Sequence, residues 1–64
     1  MYTSDDILNS LMNGQMSQAK SQFLKSHVSL ADVYYRAMQT AIGELLCDKL
    51  LHMADSLIDR KENG

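Results

Sequence analysis

The stretch "AIGELLCDKLLHMADSLI", residues 41–58, decides how this chain folds. It has the residue types of an amphipathic helix, yet its apolar face does not continue the face set by the turns before it. At 100° per residue around one helix, Leu30, Ala31, Tyr34, Tyr35, Ala37, Met38, Ala41, Ile42 and Leu45 gather on one side. Asp32, Arg36, Gln39 and Thr40 lie opposite. From there on, the apolar residues are Leu46, Cys47, Leu50, Met53, Ala54, Leu57 and Ile58, and they fall on nearly the reverse side. Asp48, Lys49, His52, Asp55 and Asp59 take over the old apolar side. The stripe swings by roughly 150°, against a drift of about 20° per heptad for a straight helix read on a seven-residue repeat.

Two arrangements produce such a pattern. Either the chain breaks at Gly43 and two helices fold onto one core, or one helix continues and its halves face different neighbours. Gly43 stands alone between Ile42 and Glu44, with no Asn, Asp or Pro to build a turn. A single glycine costs a helix only about 1 kcal/mol relative to alanine. These points favour continuity, and no stop signal follows until the polar tail from Arg60 to Gly64. The expectation is therefore a third helix over about 29–60, of roughly 30 residues and ~45 Å.

Upstream, the punctuation is clearer. Thr3 and Asp6 have the spacing of a capping box, and Asp5 and Asp6 suit the positive end of a helix dipole. Ile7, Leu8, Leu11 and Met12 form one stripe, which Asn13-Gly14 closes. This predicts a first helix over about 4–13. A second, about 15–26, has Met16, Ala19, Phe23 and Leu24 toward one face, with Lys20, Gln22 and Lys25 toward solvent. Phe23 reads as the anchor holding the two short helices on the third. Ser29 and Asp32 form another capping box, and Val28 and Val33 are placed as a hydrophobic staple.

The fold class expected is all-α: two short helices packed on one long helix in a single domain, completed by oligomerisation. Proline is absent, and only three glycines and four aromatic residues occur among 64. No period-2 alternation is sustained. A chain this short buries only about 60% of its unfolded surface, so its core needs supplementing. Cys47 is the only cysteine and excludes an internal disulfide; among leucines it reads as a small buried hydrophobe.

The formal charge of −2 gives no whole-chain attraction to nucleic acid or acidic membrane. No apolar run approaches the roughly 20 residues that span a bilayer, and the acidic N-terminus is unlike a signal peptide. A cytoplasmic protein is expected.

The short helices cover only the first half of the long one, so its second half needs a partner. Gly43, Leu46, Leu50, Met53 and Leu57 alternate in steps of three and four, the seam of a helix–helix contact. A parallel track of Cys47, Leu51, Ala54 and Ile58 widens it. The expected interface is therefore Leu46, Cys47, Leu50, Met53, Ala54, Leu57 and Ile58, buried against a second copy or a larger protein. The alternative is that this face is ordinary core.

Chemistry is not signalled. His27, Cys47 and His52 do not have metal-ligand spacing, no phosphate-binding or nucleophile motif occurs, and His52 beside Asp48 or Asp55 reads as a solvated pair. No catalytic, cofactor or metal residue is expected. Residues 6–26 outline a helix-turn-helix, but the second helix offers two lysines and no arginine, so nucleic acid is not the expected partner.

"DDILNSLMNGQMSQAKSQFLKS", residues 5–26, with Ile7, Leu8, Leu11, Gly14, Ala19, Lys20 and Phe23 as the matching positions, resembles the opening of small core or scaffold proteins of tailed-phage proheads. It covers about a third of the chain, and the remainder departs from that pattern. The resemblance implies a phage-encoded assembly protein, found in the host cytoplasm or in a virion. The functional expectation is a non-enzymatic, self-associating interaction protein. Alternatives are a small regulator or inhibitor docking on a host protein complex, and a helix-turn-helix-like DNA-binding regulator.

Overall fold

Thr3 opens the first helix as its spacing predicts. In the computed structural model, which describes residues 1–58, the Thr3 hydroxyl accepts from the Asp6 amide at 3.3 Å and the Asp6 carboxylate accepts from the Thr3 amide at 2.8 Å. Two orphan donors of the helix start are thereby satisfied. Helix α1 runs Ser4–Met12. It ends at Gly14, whose φ of 74° is the left-handed conformation. The Gly14 amide reaches the Leu11 carbonyl at 3.1 Å and the Gln15 amide reaches that of Ser10 at 2.9 Å, the paired bonds of a Schellman motif.

Helix α2 runs Met16–Lys25, with no side-chain cap at Gln15. It packs on α1 through Ala19, which is fully buried, and through a polar pair. The Ser10 hydroxyl donates to Gln22 Oε1 at 2.8 Å, with both residues buried. Gln22 therefore faces inward, not toward solvent as its neighbours suggested. Leu24 is displaced the other way and is 68% exposed. Phe23 is half-buried against the core.

Helix α3 runs Leu30–Met38 and begins with the second predicted capping box: the Asp32 amide to Ser29 Oγ at 3.1 Å, the Ser29 amide to Asp32 Oδ2 at 3.2 Å. Val33 is fully buried and Val28, before the cap, packs on the same core. Arg36 on its far side donates from Nε to Asp5 Oδ1 at 2.7 Å, tying the end of α3 to the start of α1.

The long helix expected over 29–60 is instead two helices. Helix α3 stops at Met38, and α4 runs Gly43–Leu57 with Ile58 as its cap; residues 59 and 60 of the expected span, and the polar tail, lie outside the described residues. The turn is built around the Ala37 carbonyl. It accepts from the Thr40 amide at 3.1 Å and the Thr40 hydroxyl at 2.8 Å. A Cβ added at Gly43 would stand 2.8 Å from that oxygen and 3.1 Å from the Met38 Cα. Gly43 lets the two helix ends approach this closely, and any side chain there would push them apart.

The break repays its lost helical hydrogen bonds in burial. It swings Leu46, Leu50 and Met53 onto Ile7, Leu8, Leu11, Ala19, Val33 and Ala37, and all nine lie in one buried cluster. Each large aliphatic side chain taken out of water is worth roughly 1.5–3 kcal/mol. In a continuous helix those three would face the solvent. Helix α4 touches α1, α2 and α3, whereas α3 touches only α1 and α4. The described residues thus form an all-helical bundle of four elements with no strand.

Candidate interaction surface

Helix α4 carries two apolar tracks, and the bundle covers only one of them. Leu46, Leu50 and Met53 are at most 3% exposed, and Leu57 beside them is half-buried. This is the seam the sequence assigned to a partner. The chain's own α1, α2 and α3 fill that place, because the turn at 39–42 brings them within reach. The parallel track is Cys47, Leu51, Ala54 and Ile58. Cys47 and Ala54 are half-buried, whereas Leu51 is 55% and Ile58 62% exposed. The seven residues expected at an interface are therefore divided: Leu46, Leu50 and Met53 to the core, Cys47 and Leu57 to its edge, Ala54 and Ile58 to the outer track.

Facing the outer track across a furrow is the outer side of α3. Tyr34 and Met38 stand one turn apart there, and Met38 is 68% exposed. Between the helices lies an open groove of about 570 Å³, walled by Tyr34, Met38, Cys47 and Leu51 and floored near Gly43. Its α4 rim carries Glu44 and Asp48. A smaller hollow of about 110 Å³ continues it along the helices, sharing Tyr34 and Leu51 and adding Leu30, Ala31, Leu50 and Ala54. Among the described residues no cation lines either hollow.

The groove exists because α3 is apolar around more than half its circumference while only one neighbour lies on each side. Val33 and Ala37 point to the core, and Tyr34, Tyr35 and Met38 are left outside. Sequence periodicity placed Met38 on a buried stripe. The usable signal was the surplus: more apolar positions on α3 than two contacts can cover.

A third hollow, of about 330 Å³, lies between α1, α3 and α4 and includes Leu8, Met12, Ile42 and Leu46. Its charged rim is the Asp5–Arg36 pair, whose hydrogen bond and opposite charge raise the pKa of the guanidinium above its ordinary value. His52 Nε2 is 3.7 Å from Asp48 Oδ2, one turn along α4, and both side chains are 70% exposed. That is a solvated pair on an open surface, with Asp48 at the rim of the α3–α4 groove. Among the described residues no cluster of three His, Cys, Asp or Glu is placed to hold a metal ion, and no helix is long and apolar enough to cross a membrane.

Compared with known protein families, with curated proteins and with solved structures, the chain matches none.

Proposed function

We propose that this chain is a non-enzymatic protein-binding module that docks on another protein through the outer face of α3 and α4. The observation that carries the reading is the unshared apolar track. Tyr34, Met38, Cys47 and Leu51 line one continuous furrow, while the bundle has already filled its core from other residues. Large apolar groups gathered in one open groove mark a contact surface, whereas singly scattered ones do not. Tyrosine and methionine suit that role, the first as a rigid amphipathic anchor and the second as an adaptable filler.

Self-association through Leu46, Leu50 and Met53 is set aside, because a partner would have to displace the chain's own helices to reach them. A role in assembly, as the prohead resemblance implies, is served equally well by the outer groove. The test is site-specific photo-crosslinking in the cells that express the protein. A photoreactive phenylalanine analogue at Tyr35 or Leu51 is expected to trap a discrete protein adduct. The same group at Gln18, exposed on α2, is expected to trap none. Equal trapping from all three positions, or none from any, sinks the reading.

A further inference from the structure

We propose that the occupant of the α3–α4 groove is a basic amphipathic helix belonging to a different protein, an inference that rests on the docking role above. The groove and its continuation follow α4 from Gly43 to Ala54, about 16 Å or three turns of helix. That shape suits a helix lying lengthwise with apolar side chains at every third or fourth position. The charge is one-sided. Glu44 and Asp48 form the α4 rim, and both are exposed. Lys49 lines neither hollow, and Arg36 is engaged with Asp5 on the α1 side of α3. His52 approaches Asp48 at 3.7 Å but lines neither hollow. Lysines or arginines flanking the apolar face of an incoming helix would therefore meet two carboxylates and, among the described residues that line the groove, no opposing cation, which fixes both sign and register.

A second copy is a poor occupant for the same reason. Two-fold pairing sets the same patch against itself, and that patch offers the two carboxylates no described cation to pair with. The chain's own lysine-bearing helix, α2, offers one large exposed apolar side chain, Leu24, which is too little to fill the furrow.

The test uses two labelled synthetic helices of about 18 residues, roughly five turns. Both carry leucine at every third or fourth position; one has lysine elsewhere and the other glutamate. Binding to the full-length protein is followed by fluorescence anisotropy. The lysine peptide is expected to bind about tenfold more tightly at roughly 50 mM salt, with the gap closing as salt screens the rim near 500 mM. Glu44→Gln with Asp48→Asn is expected to cut the preference to about threefold or less, and Leu51→Ser to weaken both peptides. Circular dichroism checks that each variant stays folded. The lysine peptide should also slow alkylation of Cys47 in the groove.

If both peptides bind wild type alike, the basic occupant is wrong while docking survives. The same holds if neither binds although crosslinks still form from Leu51. Binding unchanged by Leu51→Ser places the peptide elsewhere and overturns the proposal. A mass by light scattering that doubles with concentration, and that the lysine peptide does not reduce, makes the occupant a second copy and overturns it too.

Discussion

At the scale of single residues, Gly43 separates the two ways this chain could fold. In one continuous helix, Gly43→Ala would stabilise the protein by about 0.5–1 kcal/mol, since alanine is the better helix former. In the structure the new methyl group meets the Ala37 carbonyl oxygen at 2.8 Å. Gly43→Ala is therefore expected to destabilise, by roughly 1–3 kcal/mol as for other overpacked sites, read as a lower urea midpoint at unchanged slope. The sign alone decides. Gly14 is different in kind: its Cβ would meet nothing, but its φ of 74° is strained for any other residue. Gly14→Ala is expected to cost about 1–2 kcal/mol from backbone conformation alone. Between α1 and α2, the buried Ser10–Gln22 hydrogen bond predicts that Ser10→Ala costs about 1–3 kcal/mol by orphaning the amide oxygen. Ser10→Ala with Gln22→Leu should cost less than the sum of the two changes, and a double-mutant cycle measures the difference. The Asp5–Arg36 pair is half-exposed and salt-screened. Because the shift on Arg36 is upward, its share of stability is complete below the ordinary guanidinium value and is lost only as pH rises through the raised one.

At the scale of elements, α3 depends on its start and α4 on its inner face. Ser29→Ala removes the acceptor for the Asp32 amide, and is expected to cost about 0.5–2 kcal/mol, seen as a lower thermal midpoint. Leu50 is 2% exposed inside the chain's own cluster. Leu50→Ala should therefore cost roughly 2–5 kcal/mol of folding stability, where an intermolecular seam would have shown lost association from a folded monomer. Much at this scale was legible beforehand. Both capping boxes and the Gly14 stop were readable because each rests on bonds between residues at most five apart. The end of α3 was not. Its signal is a Thr40 hydroxyl turned back on Ala37 and a glycine at a close approach, and a glycine with no Asn, Asp or Pro beside it does not by itself fix a turn.

At the scale of the whole molecule, the four helices of the described residues leave the apolar furrow between α3 and α4 open. Met38→Ser with Leu51→Ser removes side chains that are 68% and 55% exposed, so the unfolding free energy measured by urea titration should change by no more than about 0.5 kcal/mol. Any adduct trapped at Tyr35 should vanish in the same variant. The sequence by itself determined the helical class, the first two helices, the start of the third, and the presence of two adjacent apolar tracks along residues 46–58. These follow from local hydrogen bonding and from periodicity, which act within a few residues. Only the tertiary structure decided that the chain turns at 39–42 and that Leu46, Leu50 and Met53 go inward while Cys47 and Leu51 border the groove. The physical reason is that either track could have been the buried one. The choice depended on the summed burial against α1, α2 and α3, a quantity that exists only once those helices are packed.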